Sequence, residues 1–220
     1  VNNKVLKLTD EGKDIIGGSQ IIRVGETLYS YYVARSAGVD PMTGLKMYWA
    51  KDADGNDYIT TSTSKAQENR VIVGSRIPDL YGSLSTSFRW KNIDLAVSTN
   101  YSIGGKNYDG VYQEFMGCYY VAEAKHKDIL RAWRKPGDIT DVPRYEIGDV
   151  PIVTDDKLID ASYFSIKNIT LGYTLPKKLV SAVGISSLRL FVEGQNLFTL
   201  DNLPEGVDPE SPEVNNGYYP

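Results

Sequence analysis

One short acidic stretch raises the possibility of a calcium site. Residues 52–57 read DADGND, with oxygen-bearing side chains at alternate positions, as in a calcium-binding loop. The EF-hand pattern, however, needs glycine at its sixth position and glutamate at its twelfth. If Asp52 is position 1, the glycine, Gly55, is at position 4 and position 12 is Thr63. The stretch therefore predicts a hairpin turn rich in Asp and Gly, and we expect no bound metal.

The other groups that could do chemistry are few and scattered. Carboxylates pair at Asp155 and Asp156, and at Asp138 and Asp141, but both pairs lie in stretches with loop character, where a solvated turn is the usual outcome. His126, the only histidine, stands between two lysines and is predicted to be a solvated helix residue instead of a ligand or base. With no nucleophile elbow, no Gly-rich phosphate loop and no paired histidines, we expect neither an enzyme nor a cofactor.

Composition narrows the protein class. The 220 residues are 41% hydrophobic and 24% charged, which excludes a disordered chain. A net charge of −4 argues against a nucleic-acid partner, because such proteins carry a basic stripe. Cys118 is the only cysteine, so a disulfide framework and a thiolate metal site are excluded. No stretch approaches the roughly 18 consecutive apolar residues of a membrane-spanning helix.

Alternating side chains between residues 188 and 200 (LRLFVEGQNLFTL) predict a strand with two unlike faces. One face is apolar and the other is charged or polar: Leu188, Leu190 and Val192 against Arg189, Glu193 and Gln195. Two environments produce this pattern. One is a soluble sheet with a single buried face, and the other is a membrane barrel whose apolar face meets lipid.

The clearest hairpin lies between residues 83 and 103. Alternation is regular over 83–90 and 93–103, and only Lys91 and Asn92 separate the two strands, which is the length of a tight turn. The eleven residues of 93–103 match the roughly 9–11 residues of a tilted transmembrane strand. This hairpin favours the barrel without excluding the soluble sheet.

A further strand is predicted over residues 162–176, and its apolar side changes midway. Phe164 and Ile166 share one side, whereas Ile169 and Leu171 fall on the other. Either a bulge intervenes near Lys167, or the first half of the strand lies beyond the lipid. Shorter strands are predicted over 28–33 and 45–49, and an exposed loop over 60–70.

Residues 104–161 form a long interruption of the strand pattern. An amphipathic helix is predicted over 119–134, with Tyr119, Tyr120, Leu130 and Trp133 facing inward. A connection of this length is more often a lid or a binding loop than a passive tether. A self-packed cap is the other interpretation.

Five stretches together resemble the C-terminal barrel region of SusC/RagA-type TonB-linked outer-membrane transporters. They keep that family's order and extend over nearly the whole chain: RVGETLYSYYVARSAGVDPMTGLKMYW (23–49), RIPDLYGSLSTSFRWKNIDLAVSTNYSIGGKNYDG (76–110), WRKPGDITDVPR (133–144), SYFSIKNITLGYTLP (162–176) and LRLFVEGQNLFTL (188–200). The resemblance implies an all-β fold made of antiparallel strands of a partial transmembrane β-barrel, with long extracellular loops and a short helix in one of them. It also implies a place in the cell outer membrane and the uptake of glycans or peptides as nutrients.

The same resemblance implies partners and domain limits. Residues 1–220 are expected to be the C-terminal part of a TonB-dependent receptor barrel, without the N-terminal plug, the segment that engages TonB or the final strand. A SusD-like lipoprotein is the expected lid, TonB the expected energy source through the rest of the receptor, and an oligosaccharide or peptide the expected substrate. Outer-membrane lipid should contact the barrel wall.

Turn lengths predict which end of the strands lies outside. Barrels of the outer membrane have short periplasmic turns and long external loops, so the excursion 104–161 is expected to be extracellular. The predicted contacts to the lid or the substrate are aromatic and arginine side chains of this loop: Tyr119, Tyr120, Trp133, Arg134 and Arg144. A soluble β-rich binding or adhesion module is the alternative function.

Overall fold

The computed structural model describes residues 3–9, 12–118, 124–149, 151–204 and 207–210. Within these ranges the chain divides into two compact units. The loop unit takes its residues from 1–77, 105–160 and 206–220, and the sheet unit takes its residues from 78–104 and 161–205. None of the described helices has the length and apolar character needed to cross a membrane.

Strands dominate both units. In chain order the described strands are β1 (Ile15–Gly17), β2 (Gln20–Ile22), β3 (Ser30–Val33), β4 (Arg35–Val39), β5 (Lys46–Lys51), β6 (Asp57–Thr60), β7 (Val71–Ser75), β8 (Leu80–Trp90), β9 (Ile93–Ile103), β10 (Lys106–Tyr108), β11 (Leu158–Asp160), β12 (Tyr163–Thr174) and β13 (Arg189–Asp201). The described α-helices are α1 (Thr63–Glu68), α2 (Gly110–Met116) and α3 (Lys177–Val180), and the 3₁₀ helices are Lys127–Arg131, Asp155–Lys157 and Ser181–Val183.

The sheet unit is one antiparallel sheet in the order β13-β12-β9-β8. β8 and β9 pair in unbroken register along all eleven residues of each strand, so the predicted hairpin is confirmed. Its turn is Lys91-Asn92, and Lys91 has a φ of 53°, as the primed turns of two-residue hairpins require. The predicted strands at 162–176 and 188–200 are confirmed as β12 and β13 within two residues at each end.

The pairing register places the apolar side chains of all four strands on the same side of the sheet. Two adjacent cross-strand rows on this apolar face are Trp90, Ile93, Tyr173 and Leu190, then Phe88, Leu95, Leu171 and Val192. The corresponding rows on the polar face include Ser87, Ala96, Thr170 and Glu193, then Ser85, Ser98, Asn168 and Gln195. The apolar face is not covered within the described sheet unit: Phe88 is 64% exposed and Val192 is 76% exposed.

A bulge at Lys167 explains the change of side in β12. Register shifts between Ile166 and Asn168 against both neighbouring strands, and the bulge therefore falls at Lys167. Opposite it, β13 has two residues, Asn196 and Leu197, between its own paired positions, and Asn196 has a φ of 49°. Because of the bulge, both halves of β12 present their apolar residues to the same side of the sheet.

The loop unit is built from three small sheets. Their strand orders are β1-β2-β3-β7, β4-β5-β6 and β10-β11. The long excursion supplies part of the core, because Tyr108 packs with Tyr31 and Val33, and Ile152 packs on Ala34 and its neighbours. Residues 105–160 therefore fold together with residues 20–77, and the excursion is not a cap packed only on itself.

Two sequence predictions in this unit are wrong. Instead of a continuous helix over 119–134, the described part of that range contains only the 3₁₀ helix Lys127–Arg131, and Leu130 is exposed. Residues 60–70, predicted as a loop, contain α1, which Ser62 caps by accepting a hydrogen bond from the backbone N–H of Lys65.

Candidate ligand-binding groove in the loop unit

A loop of the excursion, residues 131–146, is held against the turn between β4 and β5. The Trp133 indole N–H donates to the carbonyl of Pro41 at 2.9 Å, and the Gly137 N–H donates to the same carbonyl at 2.8 Å. The backbone N–H of Arg144 donates to the carbonyl of Gly44 at 2.8 Å. Three hydrogen bonds to one turn therefore fix the position of the whole loop.

Gly44 is required for this contact. Its φ is 72°, and a Cβ at this position would overlap the Trp133 ring. Any side chain here would displace the indole, and the left-handed backbone would add strain. The turn and the tryptophan are thus fitted to one another.

The Trp133 loop borders an open groove of about 460 Å³. Its lining combines basic, aromatic and apolar side chains: Lys125, Ile129, Ala132, Trp133, Arg134, Arg144 and Tyr145. Three of the five predicted contact residues, Trp133, Arg134 and Arg144, are brought together here. The other two, Tyr119 and Tyr120, lie outside the described residues.

The charge of the groove is basic. The Arg134 guanidinium donates to the backbone carbonyl of Leu130 at 3.1 Å and has no carboxylate partner among the described residues. Arg144 forms an ion pair with Glu146 at 2.6 Å, which neutralises it. Lys125 adds a further cation to the lining. The groove therefore favours a ligand with an anionic or hydrogen-bond-accepting group beside an apolar or ring surface.

A smaller cavity of about 100 Å³ lies beside the groove and shares Ile129, Arg144 and Tyr145 with it. Tyr112 lines this cavity and donates from its hydroxyl to Asp128 at 2.9 Å. Burial, and then the Asp128 carboxylate, raise the pKa of Tyr112 to about 12.

Asp141, which lines the cavity, belongs to an ion-pair network. Arg131 lies 3.0 Å from Asp128 and 3.2 Å from Asp141, so one guanidinium joins two carboxylates. The hydrogen bond from Tyr112, followed by the charge of Arg131, lowers the pKa of Asp128. This network holds the 3₁₀ helix 127–131 beside α2.

The pKa values of the two carboxylates near Tyr48, Asp149 and Asp156, shift in opposite directions. Burial, and then the charge of Glu146, raise the pKa of Asp149 despite Arg144 nearby. Burial opposes ionisation of Asp156 too, but the charge of Lys46, 2.7 Å away, overcomes it and lowers the pKa of Asp156. Burial and the charges of Asp149 and Asp156 together raise the pKa of Tyr48 to about 12.

The carboxylates considered for chemistry have structural partners. Asp155 accepts the backbone N–H of Ser36 at 2.7 Å. Asp138 accepts the backbone N–H groups of Arg134 and Lys135 at 3.1 and 3.0 Å. Asp155 therefore holds the backbone of β4, and Asp138 holds the backbone of the 131–146 loop.

The calcium-like stretch is a hairpin turn, as predicted. Lys51 pairs with Asp57 across it, and the Asp52 carboxylate accepts the backbone N–H groups of Asp54 and Asn56 at 2.9 Å each. The described residues include no group of three or more His, Cys, Asp or Glu that could hold a metal ion.

His126 differs from its prediction. It does not lie on a helix face but caps the 3₁₀ helix that follows, where its Nδ1 accepts the Asp128 N–H at 3.2 Å. Its ring packs edge-on against Tyr112, with the ring centroids 4.9 Å apart. Cys118 is a buried free thiol.

Sequence reasoning missed four lining residues of the groove: Lys125, Ile129, Ala132 and Tyr145. Tyr145 follows Arg144 directly, and an Arg-Tyr pair in an aromatic-rich loop was an available signal. Lys125 carried no such signal, because its stretch was interpreted as the polar face of a helix.

No protein-family model matches the sequence, but individual relatives do. The chain is 31% identical to TonB-dependent receptor P3 of Formosa agariphila, over 95% of the chain and 22% of that relative. It is 27% identical to TonB-dependent receptor P39 of the same organism, over 70% of the chain and 15% of the relative. The chain thus spans about a fifth or less of the length of these curated relatives.

Solved structures give the same result. The structure of the RagAB peptide transporter aligns with 86% of this chain at 28% identity and a TM-score of 0.71, and the match covers 21% of that chain. The RagAB peptide importer in its "open-open" state aligns with 94% of this chain at 25% identity and a TM-score of 0.73, covering 22% of that chain. Antiparallel strands with one exposed apolar face, the five motifs in series and these relatives agree: the chain belongs to the TonB-dependent receptors of the SusC/RagA type.

Proposed function

We propose that this chain forms part of the wall and the extracellular loops of an outer-membrane nutrient importer that is energised through TonB. The two-faced sheet of β8, β9, β12 and β13 carries the proposal. A soluble sheet buries its apolar face, whereas a barrel strand exposes it to lipid. Here the apolar side is exposed along the sheet, so the soluble binding or adhesion module gains no support.

Fractionation of the full-length receptor tests the membrane placement. We expect it in the outer-membrane fraction and soluble only in detergent. A folded monomer in the detergent-free soluble fraction would contradict the proposal. Coupling to TonB is proposed for the receptor as a whole, because this chain corresponds to about a fifth of its relatives.

The excursion 104–161 is proposed to lie on the extracellular side. The connections at one end of the sheet unit are Lys91-Asn92 and residues 175–188. At the other end, β9 leads into the excursion before the chain returns as β12. Short turns on the periplasmic side and long loops outside are the rule for outer-membrane barrels.

Within this excursion, the groove at Trp133, Arg134 and Arg144 is the proposed contact for a SusD-like lid lipoprotein or for the substrate. Aromatic and arginine side chains are enriched where proteins bind ligands and partners. A peptide or an oligosaccharide fits the lining, and the solved relatives are described as peptide transporters and importers. An enzymatic role has no support from these relatives.

Charge reversal in the groove tests its role. The double variant Lys125→Glu with Arg134→Glu should weaken lid association or substrate uptake while leaving barrel assembly intact. Lys135→Glu is the matched control, because Lys135 is exposed in the same loop but does not line the groove. If the double variant retains the same lid pull-down and the same uptake as the Lys135→Glu control, the groove has a structural role only.

A further inference from the structure

One end of the sheet unit carries apolar residues that no part of the described sheet unit covers. The connection between β12 and β13 contains α3 and the 3₁₀ helix Ser181–Val183. Leu179 is 64% exposed, Val183 is 71% exposed, and Ile185 is exposed as well. A solvated connection has no need of three large apolar side chains on its surface.

This connection is hydrogen-bonded to the end of the sheet at which the apolar face begins. Thr174 donates its backbone N–H to the carbonyl of Asn92 at 2.8 Å, and Leu175 donates to Leu188 at 2.9 Å. The turn at Lys91-Asn92 and the connection at 175–188 therefore lie at the same end of the sheet. The last row of the apolar face at this end includes Trp90 and Tyr173, the aromatic types that concentrate at a membrane–water interface.

Positive charge collects at the same end. Lys91, Lys177 and Lys178 are exposed, and none of them has a carboxylate partner within the described residues. The Lys91 ammonium lies 4.6 Å from the centre of the Trp90 ring. Asp94, the carboxylate nearest in register to this end, is already paired with Arg189. The lysines are therefore available to an external anion.

We propose that residues 176–187 form an interfacial anchor that lies in the headgroup layer of the membrane and binds lipid phosphate. Leu179, Val183 and Ile185 would enter the boundary of the acyl chains, and the lysines would contact the phosphates above it. Short segments that combine exposed apolar residues with lysines bind membranes in this way. The inference rests on the proposed membrane placement of the sheet.

A fluorescent probe tests the position of the anchor. In the full-length receptor with Cys118→Ala, Val183→Cys is labelled with an environment-sensitive dye and reconstituted in phosphatidylcholine vesicles. We expect blue-shifted emission, quenched by lipids with a doxyl group near the headgroup more than by lipids with one near the chain end. Val192→Cys is the control within the sheet, and Asn56→Cys is the control in the loop unit.

The controls distinguish failure of the interfacial anchor from failure of the proposed membrane placement. Quenching at position 192 with water-like, unquenched emission at position 183 would overturn the anchor alone. Water-like emission at both positions would overturn the membrane placement itself. If position 192 is quenched and the dye at position 183 emits at the same wavelength as the dye at position 56, the anchor is likewise overturned.

The lysines are tested with spin-labelled lipids in vesicles of phosphatidylcholine with phosphatidylglycerol. The variant Lys91→Gln/Lys177→Gln/Lys178→Gln should lose preferential association with phosphatidylglycerol, by roughly fivefold at this site for each lysine removed. Lys7→Gln/Lys51→Gln/Lys135→Gln removes the same charge from exposed positions of the loop unit and should retain the preference. Equal preference in both variants would overturn the phosphate contact.

Discussion

Arg189 and Asp94 form an ion pair that crosses the central strand β12 on the polar face of the sheet. The Arg189 Nε lies 3.0 Å from one oxygen of Asp94, and its terminal nitrogen lies 2.5 Å from the other. Between them is Gly172, where an added Cβ would overlap the guanidinium. The absence of a side chain at Gly172 therefore leaves the space in which β9 and β13 are joined.

Gly172→Ala should displace this ion pair and destabilise the sheet. The side chains that it meets are flexible at their ends, so a moderate loss is expected, not unfolding. A double-mutant cycle with Asp94→Ala in the full-length receptor measures the coupling. The effect of Gly172→Ala should shrink once Asp94 is removed, and strictly additive losses would contradict this relationship.

Adjacent positions in β9 test which face meets lipid. Val97 lies on the apolar face and Ser98 on the polar face, both near the middle of the strand. Val97→Arg should reduce the free energy of unfolding in lipid by about 2–4 kcal/mol, as arginine does on the lipid side near the bilayer midplane. Ser98→Arg should have a smaller effect, although it loses a hydrogen bond to Ser85. Urea unfolding in vesicles measures both, and the reverse order would refute the assignment of the faces.

Gly44→Ala should release the Trp133 loop. Left-handed backbone costs a non-glycine residue about 1–2 kcal/mol, and the added methyl also meets the indole ring. Gly55→Ala is the matched control, because Gly55 has a φ of 84° but no atom within 4 Å of the place that a Cβ would take. Hydrogen exchange at the backbone N–H of Gly137 and of Arg144 should accelerate in Gly44→Ala alone. Similar acceleration in both variants would show that strain, and not the ring contact, matters.

Tyr112 should ionise at a pH well above that of an exposed tyrosine. Its pKa is raised to about 12, against about 10 for a free side chain. Because the folded-state value is the higher one, the stability that neutral Tyr112 contributes is complete below pH 10 and is lost between about 10 and 12. The phenolate absorbance of the wild type minus that of Tyr112→Phe measures the titration. A component centred near pH 10 would contradict the burial described for this hydroxyl.

Long strands were predictable from the sequence because alternation has many residues in which to repeat. The limits of β9 were predicted without error, and the change of side near Lys167 was a readable sign of the bulge. The sequence of β12 left two explanations open, a bulge or an end beyond the lipid. Only the register against the neighbouring strands shows that it is a bulge.

Short elements were not predictable, because they have too few residues for alternation to repeat. β10 and β11 have three residues each, too few to show a period, and they pair across an excursion of about fifty residues. Of the apolar residues that suggested a helix over 119–134, Leu130 lies in the 3₁₀ helix 127–131 and Trp133 contacts Gly44. Tertiary contacts of this kind leave no local periodicity. Trp133, Arg134 and Arg144 could be chosen by residue type, but their arrangement around one groove could not be predicted.

The bulge at Lys167 makes the number of residues in β12 matter more than their identity. Because Lys167 is the extra residue, deleting it would restore regular alternation from Ile166 through Asn168 to Ile169 and would leave both apolar halves on the same side. A further residue inserted beside Lys167, with no matching insertion in the neighbouring strands, would instead move Ile169 and Leu171 to the polar side. Replacement of Lys167 by another polar residue should therefore be tolerated, whereas such an insertion should turn half of the strand inside out.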